Sequence, residues 1–224
     1  MNSLLKMLKE RLSACLHCGS LEVERAGMCV PCHEVLNHYP HQRRRRQEWL
    51  RALYSWNPGE SDLLSALVLS LKGRHNKQGW QHFAQMMVQQ HVPDLPAGRR
   101  LHFVPAPSKS GAEDHASLFA RALAAHMGGV YFPCLRKATS GKQRRADRGE
   151  RALIAMELVE KNTELSKNST DILWIFVDDV LTTGSTARAA RLALGSPPHF
   201  EVWVLAERGL SCGASTDMLQ NPHA

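Results

Sequence analysis

The chain contains no apolar run near the roughly 20 residues needed to cross a bilayer as a helix, and none of its segments repeats at a fixed period. The first absence argues against a helical membrane anchor; the second excludes a solenoid or propeller built of repeats. Residues 1–12 alternate leucines and methionines with charges. That is an amphipathic stretch that packs as a short terminal helix, not the uncharged core of a secretory leader. Cysteine is scarce beyond Cys32, with only Cys134 and Cys212 remaining. A disulfide framework spread through the chain is therefore not expected, and a reducing, cytoplasmic setting is.

What is present is concentrated. Four of the six cysteines form Cys15-x2-Cys18 and Cys29-x2-Cys32, joined by a ten-residue connection. Each pair presents two thiolates from one turn, and two such turns complete a closed tetrahedral Zn²⁺ shell. Gly19 and Gly27 suit the turns, while His17 and His33 stand beside the knuckles as alternative ligands. A closed shell has no open position for a substrate, so this metal is expected to fold the segment and not to catalyse.

The formal charge is +7 over 224 residues, which favours polyanionic company: nucleic acid or a phosphorylated small molecule. The densest basic run is Arg43, Arg44, Arg45 and Arg46, flanked by His41, Trp49 and Arg51. It can grip a nucleic-acid backbone, with Trp49 or Trp56 stacking on bases, or it can be a solvated linker.

The most informative stretch runs from Asp171 to Thr186. Ile172–Val177 is an uninterrupted apolar run, read as a central parallel strand covered on both faces. The acidic pair Asp178–Asp179 follows, then a hydroxyl-rich loop with Thr182, Thr183, Gly184, Ser185 and Thr186. A helix over residues 187–194 is expected next. A loop at the carboxyl end of such a strand is where open α/β sheets bind ligands. Amides at the helix start, with hydroxyls beside them, can hold a phosphate dianion. The two acids would serve the other end of the ligand, by accepting from ribose hydroxyls or by holding Mg²⁺ through water.

Elsewhere the pattern predicts helices over about 60–72 and 79–91, a strand at 101–104, a loop through Ser108, Lys109 and Ser110, and a helix over 116–127. A strand at 130–132 follows. Residues 139–151 are polar, basic and glycine-containing, and read as a mobile lid. A strand or short helix at 153–159 and a last strand at 200–206 complete the series. Strand–loop–helix order indicates a parallel sheet flanked by helices, hence an α/β fold. The expected organisation is a four-cysteine zinc-binding module (1–40), a basic linker and helical region (41–98), an α/β domain (99–210) and a tail (211–224).

Residues 175–186 resemble the signature of type I phosphoribosyltransferases, which bind 5-phosphoribosyl 1-diphosphate (PRPP), usually with Mg²⁺. Taken with the four cysteines, the Leu71-Lys72-Gly73 helix end, Val104-Pro105-Ala106-Pro107, and Thr139, Gln143 and Arg151, the chain resembles the ComF family, most closely its ComFC-like group, over residues 15–208. The resemblance implies a type I phosphoribosyltransferase-like sheet with an N-terminal zinc-ribbon module. It implies that Ser108, Lys109 and Ser110 receive diphosphate, that Gln143, Arg144 and Arg151 belong to a closing lid, and that Asp178 to Thr186 hold ribose 5-phosphate. Asp178 and Asp179 are then the catalytic pair. DNA uptake during natural transformation is the implied process. Single-stranded DNA and other competence proteins, such as a DNA helicase or strand-binding factor, are the implied partners. Two departures stand out: Ser110-Gly111-Ala112-Glu113-Asp114-His115 replaces an arginine-rich loop, and Ala152 stands where an asparagine is expected. A sensor of PRPP that does not turn it over, and a nucleobase-salvage enzyme, are the alternative functions.

Overall fold

The computed structural model describes residues 15, 17–23, 28–37, 49–56, 62–73, 77–91, 95, 98–108, 114–138, 156–159 and 171–208. In chain order the elements are α1 (Val30–Asn37), β1 (Leu50–Trp56), α2 (Asp62–Gly73), α3 (Lys77–His91), β2 (Arg100–Pro105) and α4 (His115–Met127). They continue with β3 (Val130–Tyr131), β4 (Leu135–Lys137), β5 (Met156–Leu158), β6 (Ile172–Leu181), α5 (Ser185–Ala193) and β7 (Phe200–Arg208). Five strands form one sheet in the order β1-β7-β6-β2-β3, and every neighbouring pair in it is parallel. The fold is α/β, as the alternation of strand and helix signals predicts. Among the described residues no helix is long and apolar enough to cross a membrane.

β6 lies at the middle of the sheet because its first six residues, Ile172 to Val177, are all buried; a strand apolar on both faces is stable only when both are covered. Phe103, Ile175, Val177, Trp203 and Leu205 pack on one face with Leu67 of α2, Trp80 and Phe83 of α3, and Phe119 and Leu123 of α4. Val104, Trp174, Phe176, Val202 and Val204 pack on the other with Ala187 and Ala190 of α5. Burying a large apolar side chain on either face contributes on the order of 1.5–3 kcal/mol.

β2 passes to β3 on one side of the sheet and β6 to β7 on the other. The order reverses between β2 and β6, which opens a crevice beyond their carboxyl ends. Asp114 caps α4, its Oδ1 accepting from Ser117 N at 3.2 Å, and Gly128 ends the helix in the left-handed conformation. The sequence-predicted helices and strands fall within a few residues of the observed ones, with three differences. The central strand does not stop at Val177 but runs to Leu181, because β7 keeps pairing with it as far as Leu181↔Glu207. The last strand likewise extends to Arg208. The stretch at 153–159 contains a strand, β5, antiparallel to β4.

β1 was hidden within the basic linker and helical region by an arginine at its second position. Arg51 is fully buried and is matched by a buried carboxylate on β7. Its Nε donates to Glu201 Oε2 at 2.6 Å and a terminal nitrogen to Oε1 at 3.0 Å. A further bond reaches the His91 carbonyl at 3.3 Å, the guanidinium lies 5.5 Å from the Trp203 ring centre, and Trp203 Nε1 donates to Glu201 Oε2 at 2.9 Å. The planar fork of arginine suits such a two-pronged bond; lysine would not reproduce it. Arg51 is therefore a structural ion-pair partner and not part of a basic surface, and Trp49, buried in the second core face, is not available to stack on bases.

Removing one member of a buried pair strands the other. Arg51→Ala is expected to lower unfolding free energy by about 3–5 kcal/mol, measured by urea denaturation, whereas Arg51→Met combined with Glu201→Leu loses much less. A single-variant loss within experimental scatter of wild type would contradict this account of β1.

Candidate functional site

The first constellation is the cysteine cluster. Gly19 takes φ of +76°, and Cys15 N donates to Ser20 O at 2.7 Å while Gly19 N donates to Cys15 O at 3.0 Å. This tight turn brings Cys15 and Cys18 to one side. Cys29 precedes α1, and Cys32 sits in its first turn. The Sγ atoms of Cys15, Cys18, Cys29 and Cys32 all lie within 4.8 Å of one another. Cys18 Sγ and Cys29 Sγ stand 3.6 Å apart, close to the roughly 3.8 Å edge of a tetrahedron with Zn–S near 2.3 Å.

Burial alone would raise the Cys15 thiol, but backbone hydrogen bonds from Cys29, Cys18 and His17 outweigh it and bring it down to about 6. Burial and the neighbouring sulfurs push Cys32 far up. Four thiols crowded this closely cannot all ionise without a cation between them, and the donor set is one that holds Zn²⁺. His17 Nδ1 lies 3.2 Å from Cys32 Sγ, beside the cluster and hydrogen-bonded to a member of it. His33 faces α3, its ring 5.7 Å from that of His82.

The second constellation sits in the crevice. β2 last pairs with β6 at Pro105↔Val177, after which Ala106 N donates to Val177 O at 2.8 Å and the chain turns away. Asp178 and Asp179 thus lie on the strand, past the Val177 end expected for it, at the first positions where β6 has lost its neighbour on that side. Asp179 is buried and Asp178 half-buried. Asp178 Oδ1 accepts from Asp179 N at 2.9 Å. Burial first, then the adjacent charge and hydrogen bond of Asp179, push the Asp178 carboxyl up to about 8.

One side chain at the acidic pair was not foreseen from the sequence. His115, the first residue of α4, places Nε2 3.5 Å from Asp179 Oδ1, and donor atoms of His115, Asp178 and Asp179 lie within 4.8 Å of one another. Burial by itself would lower the imidazole, but the bond to Asp179 and the charges of Asp179, Asp114 and Asp178 raise it above its ordinary value. Its signal in the sequence was a titratable group at the end of the loop after β2. Asp114 beside it caps α4, its Oδ1 accepting from Ser117 N, and its charge adds to the field on the imidazole.

The hydroxyl loop follows β6 directly. Gly184 takes φ of +73° immediately before α5, a left-handed turn that a side chain would strain. Thr183 Oγ1 is 3.0 Å from Ser185 Oγ and accepts from Ser185 N at 3.4 Å. Thr182 and Thr183 are exposed, Ser185 and Thr186 half-buried. Ser108, after β2, keeps Oγ shielded from solvent with no hydrogen-bond partner among the described residues. Lys109, Ser110, Gln143, Arg144 and Arg151 lie outside the described residues, as do Arg43, Arg44, Arg45 and Arg46.

In comparisons with known proteins, no family model and no curated protein matches the chain. The four-cysteine cluster and the parallel sheet are compatible with a zinc module joined to a phosphoribosyltransferase-type fold.

Two expectations follow from the geometry. Purified chain should carry one zinc per molecule by elemental analysis, and Cys15→Ser should lose it together with several degrees of melting temperature; a metal-free wild type of equal stability would refute the assignment. Asp178, with a folded value near 8 against an ordinary 3.8, retains a proton that the unfolded chain has released, so its contribution declines as pH rises between those values. Asp178→Asn keeps the acceptor for Asp179 N and removes the charge. Without added divalent cation it should melt several degrees above wild type at pH 8, at about 2–4 °C per kcal/mol, with the gap narrowing toward pH 5. An unchanged gap across that range would show that the carboxyl is not perturbed.

Proposed function

We propose that the chain is a phosphoribosyltransferase-like protein that binds PRPP with Mg²⁺. The carrying observation is the reach of β6 beyond its last pairing with β2, which turns an acidic pair into the crevice directly ahead of a hydroxyl-lined helix start. A sugar phosphate matches both ends of this array. Amides opening α5, with the hydroxyls of Thr182, Thr183, Ser185 and Thr186, suit the 5-phosphate. Asp178 and Asp179 suit the vicinal hydroxyls of the ribose. The Ser108 Oγ, shielded from solvent and without a hydrogen-bond partner among the described residues, is a polar atom whose need an oxygen of the diphosphate would meet.

Mg²⁺ bound with the sugar would neutralise the departing diphosphate. As the bond from C1 to diphosphate breaks, positive charge develops on the ribose, and the Asp178–Asp179 pair is placed to offset it. Lys109 and Ser110 join Ser108 on the diphosphate side in this reading, and Gln143, Arg144 and Arg151 close over it and exclude water. Zn²⁺ in the four-thiol cluster is structural. The process, DNA uptake in natural transformation, rests on the resemblance of the motif order to ComF proteins.

A second reading, a sensor that holds PRPP without turnover, is favoured by the loop after β2. Over residues 106–114 the sequence has a single cation, Lys109, against the two acids Glu113 and Asp114, and a leaving polyanion needs cations at that point.

Calorimetric titration of PRPP with Mg²⁺ into the zinc-loaded chain should give one site. Asp178→Asn combined with Asp179→Asn should weaken it at least about tenfold, roughly 1.4 kcal/mol. Heat from neither PRPP nor ribose 5-phosphate would sink the proposal. Diphosphate release with a panel of nucleobases then separates enzyme from sensor: binding without release selects the sensor.

A further inference from the structure

We propose that His115, Asp178 and Asp179 form a direct binding site for a divalent transition cation, complete before any sugar phosphate arrives. The inference rests on the same crevice as the proposed function and names a ligand for it that the sugar does not bring.

Three different donors converge from two elements: an imidazole from the start of α4 and two carboxylates from the end of β6. Their ligand atoms lie within 4.8 Å of one another, and His115 Nε2 is 3.5 Å from Asp179 Oδ1. Around an octahedral cation with bonds of about 2.1 Å, adjacent donors stand about 3 Å apart and opposite ones about 4.2 Å. The three atoms therefore need only small rotations to occupy one coordination sphere. Three protein donors fill only half of an octahedral shell, which leaves the other positions to water or to ligand oxygens. The imidazole has a buried aromatic neighbour: the Trp80 ring, itself fully buried, lies 6.5 Å from the His115 ring at a tilt of 30°.

The donor set decides the class of cation. Two carboxylates alone would suit Mg²⁺, a hard ion that keeps its waters; an imidazole shifts preference toward first-row transition ions, which bind nitrogen well. The positive end of the α4 dipole opposes any cation here. Two carboxylates in contact with the ion outweigh that partial charge.

Mn²⁺ is the probe of choice because it competes poorly for thiolates and leaves the four-cysteine cluster undisturbed. The zinc-loaded full chain is titrated with Mn²⁺ at pH 8 and no sugar phosphate, with bound ion read by electron paramagnetic resonance. One bound Mn²⁺ is expected, with ¹⁴N coupling from a single imidazole in the pulsed spectrum. His115→Gln should abolish that coupling and weaken Mn²⁺ about tenfold or more, while Mg²⁺ affinity changes by less than about threefold. The Gln variant leaves the Asp114 cap in place; should it fail to fold, the wild-type pulsed spectrum decides alone.

No bound Mn²⁺, bound Mn²⁺ without nitrogen coupling, or equal affinity in the folded variant overturns the site and leaves His115 as an ion-pair partner of Asp179. PRPP calorimetry on the same preparation separates the two ideas. Sugar binding with no Mn²⁺ site rejects only this inference; an Mn²⁺ site with no sugar binding rejects only the phosphoribosyltransferase reading.

Discussion

The crevice depends on unequal ladders along the two edges of β6. On one side β2 leaves after pairing with Val177; on the other β7 continues to Leu181. The hydrogen bonds to β7 hold Asp178 and Asp179 in extended backbone, while the departure of β2 exposes one flank of that backbone to the crevice. Were β2 longer, its backbone would fill the space; were β7 shorter, the acids would sit on a free loop with no defined direction. Burial of Asp179, the hydrogen bond from its amide to Asp178, and the approach of His115 all follow from this offset.

Polar groups also carry stability deeper in the molecule. Arg51 and Glu201 join the edge strand β1 to β7 by a two-pronged bond closed over by Trp203 and by the end of α3. Such a pair contributes little beyond what apolar residues of equal volume would, but it penalises any register in which either charge loses its partner. The cysteine cluster is also tied into the first core face. Cys15, Cys29 and Cys32 pack in the same cluster as Leu36, Leu53 and the residues of α2 and α3. The cysteine turns are thus continuous with the hydrophobic core, so a disturbance of the cluster would be felt beyond the knuckles themselves.

Much of the fold was legible because its signals are local. The apolar run of β6 is long enough to declare a covered strand, and the helices at 77–91 and 115–127 show their apolar spacing and their stops. The C-x2-C pairs announced a shared ligand through spacing alone, and their four sulfurs do converge. β1 was not legible, because an arginine in a short apolar stretch resembles a linker until its carboxylate partner, 150 positions away, is known. β4 was missed because three residues with two exposed cations carry no period. His115 was missed because nothing near it in the chain says that α4 begins beside the end of β6.

The order of residues by itself determined the strand and helix alternation, the thiol knuckles, and the acid–hydroxyl–glycine succession, since each depends on neighbours within a turn or two of chain. Only the tertiary structure decided where β6 stops having a partner, that Arg51 faces inward, and that an imidazole meets the two acids. Those outcomes depend on contacts between segments far apart in the chain, whose geometry is set by sheet register and helix packing and by no short-range pattern.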